Sequence, residues 1–303
     1  MDPFSSEGEL LTPHTSLYQG QYSSVLDFDT NSLSPTNRTA AQILKYRAQI
    51  ALGQSSAVLS SLSASAASSP DLTSVRALAL YTSDKKTEAL SALESLVEKE
   101  GENGTVQVLC GTVLALAERY EDALSLLSKH QGSLEAVLLT TQIHLATNRL
   151  DLAQREVTAA KKWAQDNLLV NLAEAWVGLR QGGSLLSSTS YYIYSELAST
   201  PSSSSASSLL AQGITELHLQ RYDEASASLA QSLSPSSDLT PSIKSDALAA
   251  SVVLSLCTGK GTGEAWGELQ QQQSEHVMVR DIEEKGKAFD EAAGKWRAKV
   301  AAA

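Results

Sequence analysis

Hydrophobic residues recur along most of the chain at steps of three and four residues, the spacing that places side chains on one face of an α-helix. Val113, Leu114 and Ala117 follow this spacing, and Leu124 and Leu127 resume it after a short polar turn. Several of these turns carry an aromatic residue. The pattern therefore predicts pairs of helices joined by short turns, and it favours an all-α protein.

This helix–turn–helix pattern repeats along the chain. Its clearest copies each begin with Arg and end with Ala, at 119–123, 149–153 and 221–225. Weaker copies lie at 21–25, 54–57 and 86–89. With two further positions, the last residues of these copies are spaced by 30 to 40 residues, about 34 on average: Val25, Ala57, Ala89, Ala123, Ala153, Ser190, Ala225 and Ala265.

A period near 34 with one helical pair per unit resembles that of tetratricopeptide repeats. Two helices can approach closely only where a small residue lies between them, which predicts contact points at Gly111, Ala123, Ala153, Gly213 and Ala225. A single pair would leave its apolar face in water, whereas stacked pairs bury it. We therefore expect a right-handed α-solenoid of about eight tetratricopeptide-like helical hairpins.

The two ends of the chain depart from the repeat. We expect residues 1–10 to be disordered and 11–303 to form a single solenoid domain. The stretch 277–300 alternates charged and apolar residues and should form a C-terminal capping helix, because a terminal repeat needs a polar outer face. Ser-rich segments are expected to be loops between helical pairs, since the repeat spacing continues across them: 60–70, 199–208 and 234–242.

Charge and cysteine content exclude several classes of function. The 23 Lys and Arg against 34 Asp and Glu give a net charge of −11, which disfavours nucleic acid and direct binding to an anionic membrane. Cys110 and Cys257 match no disulfide or metal spacing. The N-terminal residues lack the basic and apolar segments of a secretory signal. These features predict a cytoplasmic protein without a metal site.

No set of residues resembles a catalytic site. The five histidines are scattered along the chain, and no nucleophile, base and orienting group can be grouped from the sequence. The segment 259–263 contains Gly-Lys but has Leu254 where a phosphate-binding loop requires glycine. We therefore expect no enzyme activity, no cofactor and no small-molecule substrate.

One stripe of the first helix of each pair is a candidate partner-binding groove on the concave side of the solenoid. The stripe lacks the residues that would clamp a peptide carboxylate. It is mostly apolar and comprises Val108, Thr112, Ala115, Leu138, Gln142, Leu145, Leu210, Ile214 and Leu217. An exposed apolar patch usually marks a partner surface. The alternative is a register shift of a few residues, which would make these side chains ordinary core.

Several phrases outside the repeat pattern resemble one family. Ala-Trp-Val stands at 175–177, Gly-Gly follows at 182–183, and Tyr-Tyr-Ile-Tyr-Ser-Glu-Leu stands at 191–197. These phrases occur in this order in the coatomer ε subunit family. Similar stretches are 17–22, 46–48, 130–135, 141–143, 148–157 and 276–290. The resemblance covers nearly the whole chain after about residue 10. One departure is a segment between Gly183 and Tyr191 that is one residue longer than usual.

The resemblance implies a non-catalytic structural subunit of the COPI vesicle coat, with a tetratricopeptide-type solenoid. Its implied partners are the C-terminal domain of the coatomer α subunit and the rest of the coatomer complex. It implies a role in Golgi-to-endoplasmic-reticulum and intra-Golgi transport, at the cytosolic face of Golgi membranes, with membrane association only through the coat. The alternative is a tetratricopeptide-type scaffold or adaptor of another assembly. An enzyme built on helical hairpins is the third class.

Overall fold

The computed structural model describes residues 8–31, 33–62, 69–200, 202–236, 238–273 and 276–301. Across these residues the chain forms helices and turns and contains no β-strand, which confirms the all-α prediction. A 3₁₀ turn at Gly8–Leu10 precedes the first helix. The first nine α-helices are α1 (Leu11–Tyr18), α2 (Tyr22–Asp27), α3 (Pro35–Ala51), α4 (Ser55–Leu62), α5 (Pro70–Thr82), α6 (Lys86–Glu100), α7 (Gly104–Leu116), α8 (Tyr120–Leu127) and α9 (Leu134–Ala146).

The second half of the chain continues in the same way. It contains α10 (Leu150–Lys161), α11 (Leu168–Gln181), α12 (Gly183–Leu185), a π-helical turn (Leu186–Ser190), α13 (Tyr191–Ser199), α14 (Ala206–His218), α15 (Tyr222–Ser232), α16 (Pro241–Cys257), α17 (Gly263–Gln272) and α18 (Val277–Ala301).

The helices pair into eight successive hairpins followed by α18. We call the first helix of each hairpin its A helix and the second its B helix. Successive A helices pack on one another from α3 through α5, α7 and α9 to α11, and α14 packs on α16. The B helices α6, α8, α10, α13 and α15 also contact the A helix that follows them. This nearest-neighbour stacking confirms the predicted solenoid of about eight hairpins.

Small residues lie where the two helices of a hairpin cross. A Cβ atom added to Gly111 would lie 3.2 Å from Leu127, and one added to Gly213 would lie 2.9 Å from Leu229. The predicted contact points Ala123, Ala153 and Ala225 are fully buried on the B helices. The sequence therefore located these close contacts correctly.

Two hairpins add to or correct that assignment. Gly178 occupies the same place in the sixth hairpin, because an added Cβ would lie 2.2 Å from Ser190 Oγ. In the second hairpin, the predicted position Ala57 is exposed, and its neighbour Val58 is the fully buried residue. The repeat therefore runs one residue later there than the sequence pattern indicated.

A left-handed residue marks the turn inside most hairpins. The backbone φ angle is +60° or +61° at the turn residues Asp84, Glu118, Asn148 and Gln220. Glycine fills the equivalent turn positions in the first, second and eighth hairpins, at Gly20, Gly53 and Gly259. The buried anchor of the B helix follows five residues later at Val25, Val58, Ala89, Ala123, Ala153 and Ala225. Backbone conformation thus keeps the repeat in register where residue identity varies.

The sixth hairpin absorbs its extra residue as a π-helical turn. Residues Leu186–Ser190 form this wider turn between α12 and α13. A π-turn holds one more residue than an α-helical turn of the same height. Ser190 is fully buried at its end and donates a hydrogen bond to the Ala175 carbonyl oxygen at 3.0 Å. The one-residue departure seen in the sequence is therefore accommodated locally.

The Ser-rich connectors separate hairpins as expected where the structure describes them. Ser205 caps α14 by accepting a hydrogen bond from the Ser208 amide, and Thr240 caps α16 ahead of Pro241. Of the connector 60–70, residues 63–68 lie outside the described residues, as do residues 1–7 of the predicted disordered N-terminus. The domain boundary at residue 10 stays a prediction.

The C-terminal helix α18 closes the core with its first turn. Val279 is buried against Leu248 and Leu269, and Met278 packs beside it. Beyond Val279, the side chains of 280–297 are exposed except for Ala293, which is partly covered. Among the helices described, none combines the length and the apolar character needed to cross a membrane.

Candidate partner-binding groove

The first hairpin folds back over A helices that are distant in the sequence. Tyr18, at the end of α1, packs against the core cluster that contains Leu138 of α9 and Leu172 of α11. Tyr22, at the start of α2, packs against the cluster that contains Leu210 of α14. The chain therefore covers part of its own row of A helices with its N-terminal hairpin.

A charged cluster fixes this hairpin to the start of α9. Both carboxylate oxygens of Glu135 accept hydrogen bonds from Arg47 Nη1 at 3.1 Å, and His14 Nε2 lies 2.7 Å from Glu135 Oε1. Arg47 also donates through Nη2 to the Tyr18 hydroxyl at 2.8 Å. The cluster therefore joins α1, α3 and α9 through side chains that are mostly buried.

The electrostatics of the cluster keep Glu135 ionised. Burial alone would raise the pKa of its carboxyl group, but the charge of Arg47 and the hydrogen bond from His14 outweigh burial and lower this pKa from 4.5 to about 2. Burial raises the pKa of the Tyr18 hydroxyl, which stays protonated. The arrangement is a fixed ion pair with a structural role.

The turn of the first hairpin reaches the seventh hairpin. The Gln19 carbonyl oxygen accepts hydrogen bonds from Ser205 Oγ at 2.6 Å and from Ser207 Oγ at 3.2 Å. Gly20, with φ +78°, lies so close that an added Cβ would be 2.2 Å from Ser207 Oγ. A side chain at position 20 would therefore separate the two hairpins.

A second polar contact lies beyond this turn. The Ser23 amide and hydroxyl donate to Asp238 Oδ1 at 2.7 and 2.8 Å. Asp238 belongs to the connector between α15 and α16. The first hairpin is thus joined to the fifth and seventh hairpins as well as to the second.

Part of the predicted apolar stripe lies inside the core. Val108, Leu138 and Leu210 are 5%, 6% and 7% exposed. Leu138 and Leu210 belong to the clusters on which Tyr18 and Tyr22 pack. For these three residues the core interpretation, which the sequence left open, describes their position, and the expectation of an exposed stripe is wrong there.

The other stripe residues are more accessible. Gln142 is exposed, whereas the rest are half-buried: Thr112, Ala115, Leu145, Ile214 and Leu217. Leu145 packs at the edge of the Leu138 cluster, and Ile214 and Leu217 pack at the edge of the Leu210 cluster. The structure therefore does not unite the nine residues in one open surface, and their contact with a partner stays a prediction.

Sequence reasoning did not single out the His14, Arg47 and Glu135 cluster. The three residues lie 88 and 121 positions apart, so neither period nor spacing connects them. Tyr18, Arg47 and Glu135 each fall in a stretch that resembles the coatomer ε family, which was the available signal.

The two larger of the clefts that border the first hairpin are both lined by His14 and Glu135. One, of about 340 Å³, is lined by His14, Arg47, Val108 and Glu135 among others. The other, of about 1010 Å³, lies between α1 and the turn before α11 and exposes Trp163. Trp163 is 53% exposed, an unusual state for so large an apolar side chain. Both clefts mix charged and apolar lining residues, and both lie next to the covered groove.

Two titratable groups on the A helices are shifted towards their neutral forms by burial. Burial raises the pKa of the Cys110 thiol to about 12, so this thiol carries no reactive thiolate. Burial lowers the pKa of His144. Within the described ranges, His, Cys, Asp and Glu form no group of three that could hold a metal ion.

Solved structures support the fold assignment. The crystal structure of the APC/C hetero-tetramer Cut9–Hcn1 matches with a TM-score of 0.63 at 14% identity, over 91% of this chain and 54% of that one, so the chain spans about half of its length. A tetratricopeptide repeat protein from Parabacteroides merdae matches with a TM-score of 0.57 at 10% identity, over 86% and 96% of the two chains. At these identities the likeness shows the fold alone.

Sequence relatives identify the family. A probable coatomer subunit epsilon from Schizosaccharomyces pombe is 26% identical over 76% of this chain and 75% of its own length. Coatomer subunit epsilon-2 from Arabidopsis thaliana is 26% identical over 93% and 95% of the two chains. The family model for the coatomer epsilon subunit matches residues 7–297. The chain, a tetratricopeptide-type solenoid, therefore belongs to the coatomer epsilon subunit family, whose members are subunits of the COPI coat.

Proposed function

We propose that the chain is a non-catalytic structural subunit of the COPI coat that binds and stabilises the C-terminal domain of the coatomer α subunit. Its role would be in Golgi-to-endoplasmic-reticulum retrograde transport and intra-Golgi transport. The observation that carries the proposal is the family match over residues 7–297, nearly the whole chain. The ionised cluster and the buried thiol support a structural role over a catalytic one.

The proposed location is the cytosolic face of Golgi membranes and of coated vesicles. A net charge of −11 opposes direct contact with anionic lipid headgroups, so the coat would supply the membrane attachment. The subunit would then act entirely through protein contacts, and its partners would be the other subunits of the coatomer complex.

We place the contact with the α subunit at the accessible members of the stripe, centred on Gln142 of α9 with Leu145 beside it. Ile214 and Leu217 of α14, at the edge of the separate Leu210 cluster, are a second proposed contact. Partner contacts of this kind combine an apolar centre with a polar rim. The buried Val108, Leu138 and Leu210 would support this surface from beneath.

Co-expression with the C-terminal domain of a coatomer α subunit from the same source tests the proposal. Light scattering of the purified species should give the mass of a 1:1 complex. Separate elution of two well-folded chains would overturn it, and the search would turn to a scaffold or adaptor role in another assembly.

A pair of matched variants tests the surface. Gln142→Arg on the A helix α9 should weaken the complex because it places a charge in the proposed contact. Gln231→Arg introduces the same charge at an exposed position of the B helix α15 and should leave the complex unchanged. Equal binding of both variants would move the contact elsewhere on the solenoid.

A further inference from the structure

The helix α18 carries an apolar stripe that nothing in the described chain covers. Ile282, Phe289 and Trp296 follow one another at seven-residue steps and are 44%, 71% and 66% exposed. Seven-residue spacing places them on one face of a helix, in the pattern of a coiled coil. An exposed apolar stripe of this length marks a surface that another helix covers.

Small residues alternate with the large ones on the same face. Gly286 and Ala293 lie between Ile282, Phe289 and Trp296, which completes the alternating four- and three-residue spacing of a heptad core. Glycine inside an exposed helix weakens that helix. An added Cβ at Gly286 would meet no atom of the chain within 4 Å, so packing within the chain does not explain it. The space that Gly286 leaves on the stripe would admit a large side chain of a second helix.

The order of large and small residues fits a second copy in the antiparallel direction. In that arrangement Trp296 of one copy lies over Gly286 of the second copy, and Phe289 lies over Ala293. A parallel arrangement would instead place Phe289 against Phe289, Trp296 against Trp296 and glycine against glycine. Large side chains facing small ones fill the layers evenly, as close-packed interfaces require.

The net charge of the two bodies favours the same direction, whereas the charges that flank the stripe do not decide it. Antiparallel pairing brings Glu283 of each copy next to Arg297 of the second copy, but it also brings Asp290 next to Asp290. A parallel pair would hold two bodies of net charge −11 at the same end of the rod. An antiparallel pair keeps them at opposite ends of a rod about 33 Å long, at 1.5 Å per residue over 280–301.

We propose that α18 is a self-association arm, through which two copies of this chain pair as antiparallel helices along the Ile282, Phe289 and Trp296 stripe. The arm lies apart from the groove proposed for the α subunit, so the two surfaces can be tested separately.

Sedimentation velocity of the full chain over a concentration series tests the pairing. The wild-type chain should approach twice the mass of one chain by about 100 µM, since small interfaces give weak affinities. The double variant Phe289→Glu/Trp296→Glu should remain monomeric over the same range. A wild-type monomer at every concentration would overturn the proposal, even if α18 then captured a coatomer subunit.

Matched glycine variants separate helix pairing from general stickiness. Gly286→Leu adds apolar surface but fills the recess for Trp296, and it should reduce self-association at least tenfold. Gly294→Leu adds the same side chain off the stripe, where an added Cβ also meets nothing within 4 Å, and should have no effect. Stronger association of Gly286→Leu would contradict the antiparallel contact.

Charge reversal tests the direction. Glu283→Lys and Arg297→Glu should each weaken an antiparallel pair, and the combination of both should restore it. If the combined variant remains as weak as the single ones, the antiparallel register is wrong. Circular dichroism of every variant verifies that α18 stays helical, since all of the substituted positions are exposed.

Discussion

Arg47 of α3 donates from one guanidinium nitrogen to both carboxylate oxygens of Glu135, 88 residues away at the start of α9, at 3.1 Å. The side chains are 16% and 17% exposed, so the pair lies largely out of water. Removing one member of a mostly buried pair leaves the other without its counter-charge. This ion pair therefore makes the position of the first hairpin sensitive to single substitutions.

Glu135→Gln should lower the free energy of unfolding by about 2 kcal/mol, because Arg47 keeps an acceptor but loses its counter-charge. Urea denaturation measures the change. Glu94→Gln is the control, since it removes an exposed ion pair with Arg119, and its cost should stay below about 0.5 kcal/mol. Equal losses of unfolding free energy in the two variants would show that the Glu135 ion pair stabilises the chain no more than an exposed ion pair does.

The free energy of unfolding should fall in acid because Glu135 becomes protonated. The pKa of Glu135 is lowered in the folded chain to about 2, below its ordinary value of 4.5. A lowered folded-state pKa contributes stability above pH 4.5, and that contribution is lost as the pH falls from 4.5 towards 2. Chemical denaturation at pH 7, 4.5 and 3 should show a smaller loss for Glu135→Gln than for the wild-type chain. Parallel pH profiles would refute this assignment.

Glycines inside helices should respond in opposite directions to the same substitution. Gly213→Ala should destabilise by about 1–3 kcal/mol, because the new Cβ would lie 2.9 Å from Leu229. Gly267→Ala, in α17, should stabilise by about 0.5–1 kcal/mol, because its Cβ would meet nothing within 4 Å and alanine favours the helix. Thermal or urea unfolding measures both. If the two substitutions change the free energy of unfolding in the same direction, Gly213 does not lie in close contact with Leu229.

Relief of the left-handed turn residues should stabilise the solenoid. Glu118 has φ +60°, a conformation that costs a residue with a Cβ about 1–2 kcal/mol. Glu118→Gly should recover up to about 1 kcal/mol of unfolding free energy after the entropy of the unfolded chain is counted. Glu121→Gly, in the first turn of α8, should destabilise instead. A loss of stability in Glu118→Gly would show that the Glu118 side chain contributes more than its backbone costs.

Alanine substitutions at two glycines with similar backbone angles distinguish loss of the first hairpin's contact with the seventh from simple backbone strain. Gly20 and Gly53 have φ of +78° and +80°, but only an added Cβ at Gly20 meets a neighbour, Ser207. Gly20→Ala should therefore expose α1 and α2 to amide exchange, whereas Gly53→Ala should show only the common backbone cost. Hydrogen–deuterium exchange of residues 11–27 measures the difference. Equal protection in the two variants would show that the close approach of Gly20 to Ser207 does not hold α1 and α2 in place.

The repeat was predictable because it is local. The turns that run from Arg to Ala, and the glycines twelve residues before Ala123 and Ala225, report contacts within one hairpin, which short-range spacing can encode. The groove was only partly predictable. The burial of Leu138 and Leu210 depends on Tyr18 and Tyr22, which come from a hairpin more than a hundred residues away. No periodicity in one segment reports which distant segment will cover it.

The π-helical turn shows the same limit on a smaller scale. The extra residue between Gly183 and Tyr191 was visible in the sequence, but its accommodation depends on the fit of Ser190 beneath Ala175. Spacing alone locates the extra residue. It does not determine whether a loop or a wider helical turn accommodates that residue.

The bond between Ser23 and Asp238 spans 215 residues and changes how the molecule should come apart. A solenoid with contacts only between neighbours can fray from either end, one repeat at a time. Here the first hairpin is held by the seventh, so loss of the seventh also releases the first, and unfolding becomes cooperative over that distance. The same contact has a high sequence separation, and contacts of that kind form late and slow the completion of folding. A chain that has emerged only to its sixth hairpin would thus carry an N-terminus still without its final support.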